Sequence, residues 1–166
     1  MDEKVIKSKT PDQAIASLMR LCARREYSSF DARRLLVRWN VCREEHDRIV
    51  AHLQKERFID DGRYAEAFVR EKIKLSRWGE RKIVSALRAK RISGEIISEV
   101  LDQYISREES SERLYETLSR KLRTIKYKDI YDLRAKLMRY GAGLGHDFDA
   151  IADCIEKLTK ELNNED

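Results

Sequence analysis

The chain repeats itself. The stretch from Leu36 to Leu53 returns from Leu87 to Tyr104, 51 residues later, so that Leu36 aligns with Leu87, Val41 with Ile92, Ile49 with Val100 and Val50 with Leu101. A fainter third copy places Leu133 and Leu137 opposite Ile83 and Leu87, and needs a small insertion near Gly141–Gly145 to bring Ile151 and Ile155 into step. A period near 50 residues built from helical pieces implies a tandem array with a long exposed face, not one closed globule. A unit of that size buries too little surface to be stable alone and leans on its neighbours.

The repeats are helical. Pro11 is the only proline, so every later segment escapes the cost of about 3 kcal/mol that proline imposes on a helix interior. Ile15, Leu18, Met19 and Cys22 share one helical face, as do Ala65, Phe68, Val69 and Ile73, and again Leu114, Leu118, Leu122 and Ile125. No sustained period-2 alternation predicts strands. The spacing predicts a polar tail over 1–11 and three repeats over 12–58, 59–106 and 107–166. Their helices run near 12–25, 29–39 and 43–57, then 61–77, 80–90 and 94–106, then 108–125, 128–140 and 147–162. The fold class is therefore all-α: three tandem three-helix units, helix-turn-helix-like in the short turn between second and third helices. Ser28 with Asp31, Asp60 or Asp61, and Ser93 are candidate N-caps. Asn40 and Gly141 are candidates for the left-handed residue that ends a second helix.

Charge is abundant, with 39% Asp, Glu, Lys and Arg, yet 35 bases against 30 acids leave only +5. Distribution is more informative than the sum. From Arg70 to Arg91 nine bases meet two acids, and from Arg120 to Arg139 eight meet two. The third helices reverse the sign: seven acids face two bases from Ile92 to Ser119, and again from Tyr140 to Asp166. Repeat one is milder and uses arginine, which suits bidentate contact with phosphate or carboxylate. Basic segments recurring with the repeat fit a segmented groove for a polyanion or an acidic protein surface, against the blander reading of a solvated, ion-paired helix surface.

The middle of the chain brings a family into view. Lys55 to Ala65 (Phe58-Ile59-Asp60-Asp61-Gly62-Arg63-Tyr64-Ala65 at its heart), Ser76-Arg77-Trp78-Gly79-Glu80-Arg81-Lys82-Ile83 with Ala86 to Ile92 behind it, and Leu21 to Ser28 upstream resemble three ordered segments of RecX, the bacterial regulator of the RecA recombinase. The resemblance covers residues 12–105 well; the third repeat matches only in pattern. It implies three three-helix modules in an elongated, curved array. It also implies binding along the helical groove of the recombinase filament on single-stranded DNA, with restraint of filament growth, ATP turnover and strand exchange, and hence regulation of recombinational repair. The expected partners are the RecA filament and, weakly, single- or double-stranded DNA, with the protein a cytoplasmic monomer. The candidate DNA- or recombinase-binding residues are Arg24, Arg25, Arg33, Arg34, Arg70, Lys72, Lys74, Arg77, Arg81, Lys82, Arg88, Lys90 and Arg91. Where the family places glycine this chain has Asn40 and Arg91. Asparagine tolerates the left-handed region and arginine does so less readily, so the turn at Arg91 either differs or carries a modest strain.

Other chemistries are poorly supplied. Cys22, Cys42 and Cys154 are odd in number and form no C-x-x-C pair, which argues against a disulfide framework or zinc site. His46, His52 and His146 form no ligand cluster and read as surface or cap residues. Asp60-Asp61 reads as a helix cap, Tyr64 and Phe68 as packing residues, and Trp39 and Trp78 (beside Arg38 and Arg77) as packing before stacking. No phosphate loop, nucleophile elbow or convergent acid–base set is present, so no enzyme activity and no cofactor are expected. The N-terminal segment lacks the apolar core of a secretory signal, and no run approaches the roughly 18–20 apolar residues of a membrane span. The alternative reading, a helix-turn-helix transcription regulator, requires recognition helices that here carry Glu95, Glu99 and Asp102, or Asp147, Asp149, Asp153 and Glu156, a poor match to a phosphate-lined groove.

Overall fold

The computed structural model of the protein describes residues 8–164, which hold nine α-helices and no strand. They are α1 (Pro11–Cys22), α2 (Ser29–Arg38), α3 (Arg43–Lys55), α4 (Asp61–Lys74), α5 (Glu80–Ala89), α6 (Gly94–Tyr104), α7 (Arg107–Leu122), α8 (Ile130–Gly143) and α9 (Phe148–Asn164). Residues 1–7 of the expected polar tail lie outside the described part. The tail ends one residue sooner than expected, because Pro11 already takes the first helical position, where its missing N–H costs nothing; Thr10 caps the helix, its hydroxyl accepting from the Gln13 amide while the Gln13 side chain accepts from the Thr10 amide.

The caps expected from the sequence also form. Ser28 accepts from the Asp31 amide at 3.1 Å, Asp60 from Arg63 at 3.0 Å and Ser93 from Ile96 at 3.3 Å. Asp61 does something else: its two carboxylate oxygens accept from the amide and the hydroxyl of Ser29, both at 2.7 Å, which ties the start of α4 to the start of α2.

Two compact units emerge, one holding the chain through Phe68 with Arg88–Ile96, the other Val69–Leu87 with Ile97 onward; the boundary passes through α4, α5 and α6. The first unit has a core of Ala14, Leu18, Ala32, Leu36, Val41, Ile49, Val50, Leu53 and Ile59. The second has Leu114, Leu118, Leu133, Leu137, Ile151, Cys154, Ile155 and Leu158. The repeat is visible in burial: Leu36, Leu87 and Leu137, one per copy, are all completely inaccessible. At about 1.5–3 kcal/mol per buried leucine, these positions are among the strongest local contributions to each helix trio.

Helix ends obey the same periodicity. After α2, Asn40 has φ 51°, and the Val41 amide reaches back five residues to the Leu36 carbonyl at 3.1 Å. After α5, Arg91 has φ 56°, so the arginine accepts the left-handed conformation that the turn demands. After α8 the left-handed residue is Gly145 (φ 86°), followed by a His146 amide bond to the Gly141 carbonyl at 3.2 Å. Gly141 is thus not the terminator. It lies buried inside α8, where an added Cβ would sit 2.9 Å from Ile151. The third copy's insertion is taken up as extra helix: α8 has 14 residues, α2 and α5 have 10 each. Two further arginines, Arg57 (φ 60°) and Arg77 (φ 55°), close α3 and α4 in the same conformation.

These turns are also the joints. In the second unit the turn after α8 receives the start of α5: Gly79 donates to the Leu144 carbonyl at 2.8 Å and Arg81 to the Gly145 carbonyl at 3.2 Å, while the Lys82 ammonium reaches the Gly143 carbonyl at 3.0 Å. In the first unit the corresponding turn after α5 receives the start of α2, through the ion pair of Lys90 with Asp31. The turn after α2 is covered by the chain's own lead-in segment: Lys9 donates to the Trp39 carbonyl at 3.0 Å and the Ser8 hydroxyl to Asn40 at 3.2 Å.

Candidate polyanion-binding surface

In the first unit, Lys90 and Arg91 approach Phe30 at 6.0 and 5.5 Å from the ring centroid, within cation–π range. Arg33 and Arg34 follow Phe30 by three and four residues, hence along the same side of α2, and both are exposed. Arg33 is ion-paired to Asp47. Arg25 lies 4.5 Å from the ring of Tyr27. Arg24, Arg34 and Arg88 are exposed, with no ion pair or hydrogen bond from their side chains to the described residues. No contact gathers these three with the Phe30 cluster.

In the second unit the cations converge on Trp78. The Lys82 and Lys72 ammonium groups lie 4.6 and 5.2 Å from its ring, and Lys72 also pairs with Glu71 at 2.8 Å. Arg81 approaches Phe148 at 5.7 Å. Arg77 is half-buried, and its guanidinium donates to the Thr117 hydroxyl at 3.2 Å. Trp78, with Ile73, Arg113 and His146, lines two depressions. One, of about 830 Å³, carries as many carboxylates as arginines and lysines. The other, of about 430 Å³, is bordered by Arg70, Lys74, Arg77 and Arg113 with only Glu109 and Glu116 as acids.

His146 sits at the joint beneath this site. Its Nε2 donates to the Arg77 carbonyl at 3.1 Å, and burial first, then the positive charge of Arg113, lowers its pKa below the usual imidazole value, keeping it neutral. The surface-or-cap reading fails for His146 and also for His46, which is buried and bonds the Val41 carbonyl through Nε2 at 3.0 Å. His46 occupies the place of Ile97 and Ile151 in the later copies, both buried, so its repeat position was the available signal.

Tyr64 and Phe68 stack with centroids 6.1 Å apart, one turn apart on α4, as packing residues do. The cations facing the tryptophans are not their sequence neighbours. Trp39 faces Lys9 at 3.8 Å, and Trp78 faces Lys72 and Lys82, because a helix presents partners three and four residues away or from another segment, never the adjacent one. Phe30 and Phe148 were not legible as parts of a basic site, since their cations come from distant turns. Among the described residues no group of three His, Cys, Asp or Glu is placed to hold a metal, and no helix is long and apolar enough to cross a membrane.

Nine helices and no strand among the described residues, with Leu36, Leu87 and Leu137 buried in turn, define an α-helical repeat protein, and cations stand against aromatic rings at Phe30 and at Trp78. The family model described as "RecX, second three-helix domain" matches residues 60–101. Curated regulatory proteins RecX are similar: that of Clostridium acetobutylicum is 31% identical over 120 residues, 70% of this chain and 55% of the relative, and that of Haemophilus influenzae is 29% identical over 146 residues, 87% of this chain and 93% of the relative. The chain spans about half the length of the clostridial relatives it matches, 55% and 52% in two of them. In fold it is similar to a crystal structure of a regulatory protein RecX (TM-score 0.80, 20% identity, 89% of this chain and 73% of that chain) and to RecX from Lactobacillus salivarius (TM-score 0.71, 20% identity, 90% and 96%). The chain belongs to the RecX family of regulatory proteins.

Proposed function

We propose that this protein binds the RecA recombinase filament along its helical groove, on single-stranded DNA, and restrains filament growth, ATP turnover and strand exchange. The observation that carries the reading is that each of the two compact units sets cations against an aromatic ring, at Phe30 in one and at Trp78 in the other, in a chain of this regulatory family. A filament offers a repeating partner, and repeated units with the division 12–58, 59–106 and 107–166 suit a repeating partner. Exposed arginines without a partner among the described residues (Arg24, Arg34 and Arg88) are the cheapest to commit to another molecule, because no ion pair to those residues must break. In this reading the protein acts by occupancy as a cytoplasmic monomer, without catalysis. Exposed Glu95, Glu99 and Asp102 on α6, and Asp149, Asp153 and Glu156 on α9, speak against insertion of those helices into a DNA major groove.

The test is recombinase ATPase on single-stranded DNA with the protein added at or below equimolar amounts. Inhibition with shortened filaments by microscopy is expected. Unchanged turnover and filament length at equimolar protein would refute the reading.

A further inference from the structure

We propose that the 430 Å³ cavity beside Arg77 is a phosphate site that seats one nucleotide of a single-stranded nucleic acid. The proposal deepens the polyanion reading and rests on it. The charge of the cavity is the first observation. Of its two carboxylates, Glu109 is paired with Arg113 at 3.4 Å and Glu116 with Arg120, outside the lining, at 3.6 Å. Lys74 and Arg77 are left lining the cavity with no carboxylate paired to either among the described residues.

Arg77 is the second. Among the described residues its half-buried guanidinium has one side-chain partner, the neutral hydroxyl of Thr117. That hydroxyl donates its own proton to the Arg113 carbonyl at 2.7 Å, so its oxygen is free to accept from Arg77. A cation withdrawn from water without a counter-charge is costly, and an anion arriving beside it removes that cost. The third observation is strain. Arg77 holds φ 55°, a conformation in which glycine is the ordinary choice, and it is fixed there by the Trp78 amide bond to Lys72 at 3.0 Å and by His146 on its carbonyl. Arg57 and Arg91 hold the same conformation, so strain alone marks no site; of the three, Arg77 is the one whose side chain lines this cavity.

The lining selects the anion. Arginine's planar fork matches phosphate oxygens. Trp78 and Tyr104 border the same cavity, and aromatic rings beside an anion site suit a ligand that carries a base, which a carboxylate-bearing peptide lacks. The volume lies in the range of small-molecule sites, about 300–1,000 Å³, enough for one nucleotide unit with the strand continuing outside.

The experiment uses the full chain carrying Trp39→Phe, which leaves Trp78 as the single indole of the two present. Its fluorescence is titrated, without recombinase, with a thymidine 20-mer, dTMP, orthophosphate and an oligoglutamate peptide. The expected result is a Trp78 response to the 20-mer and to dTMP, with orthophosphate a weaker ligand than dTMP. In the same background, Arg77→Gln should weaken the 20-mer by about tenfold or more, as for loss of a charge-assisted bond. It should also make the log K against log salt slope shallower by about 0.7. Arg77→Gly, which relieves the backbone and so keeps the fold, should lose the same affinity. Affinity for the 20-mer unchanged in both variants overturns the site. Equal affinity for dTMP and orthophosphate overturns the nucleotide assignment, and preference for oligoglutamate overturns the ligand class. Inhibition of the recombinase retained by Arg77→Gln while 20-mer affinity is also retained sinks this inference alone. Absence of inhibition by the unmodified chain sinks the filament reading whatever the titration gives.

Discussion

Gly79→Ala tests the joint on which the Trp78 site rests. A Cβ at Gly79 would stand 2.4 Å from the Gly145 oxygen and 2.5 Å from both the Gly145 carbonyl carbon and the His146 nitrogen, all backbone atoms. Ordinary contact begins near 3.4 Å, so the start of α5 and the turn after α8 must separate by about 1 Å. That movement stretches the Gly79 bond to Leu144 from 2.8 Å and the Arg81 bond to Gly145 from 3.2 Å, both beyond useful length. Losing two bonds at about 0.5–1.5 kcal/mol each, with the Gly79 amide left buried, predicts a destabilisation of about 2–4 kcal/mol. Urea denaturation measures it, and hydrogen exchange at Gly79 and Arg81 localises it. Gly143→Ala is the control: nothing lies within 4 Å, the site is helical, and the change should be neutral or stabilising by up to about 1 kcal/mol. A Gly79→Ala protein within about 0.5 kcal/mol of the unmodified chain, with exchange unchanged at both amides, would show that the close approach is not a structural constraint.

Truncating Leu36, Leu87 or Leu137 to alanine should each cost about 2–5 kcal/mol in denaturant melts, since all three are fully buried at equivalent positions. Arg57→Gly should raise stability by about 0.5–1 kcal/mol, because glycine relieves the left-handed penalty at an exposed position; an equal or lower denaturation midpoint counts against strain there. His146 has its pKa lowered in the fold, so below the ordinary value near 6.5 the unfolded chain binds the proton more readily than the fold. The stabilisation is therefore complete above that pH and is lost as pH falls through it toward the folded value, and the loss between pH 7.5 and 5.5 should be smaller in His146→Gln. Arg24→Glu, Arg34→Glu and Arg88→Glu together should abolish recombinase inhibition without moving the thermal midpoint by more than about 2 °C, because none has a partner to lose among the described residues.

The helices were legible because local chemistry specifies them. The apolar spacing of Ile15, Leu18 and Cys22 and the caps Ser28, Asp60 and Ser93 act within a few turns of chain, and the 51-residue return of Leu36 as Leu87 repeats that local pattern. Asn40 and Arg91 could be marked as turn residues by register alone, and the structure settles the arginine in the left-handed state. The third turn was misplaced by four residues. A glycine-rich stretch reads the same whether its first glycine ends a helix or lies within one, and what decides is Ile151, packed against Gly141 from α9.

What sequence alone determined, then, is which segments are helices, which faces are apolar and which stretches are basic, since periodicity and capping act over distances the chain itself fixes. The tertiary structure decided which cations meet which rings. Lys90 reaches Phe30 across 60 residues, and Arg81 meets Phe148 across 67. It also decided that Gly79 and Gly145 touch backbone to backbone and that Arg77 is strained and half-buried beside a cavity. Those facts depend on how packed turns fit against helix starts, a matter of shape and close approach between segments distant in the chain, which no local pattern encodes.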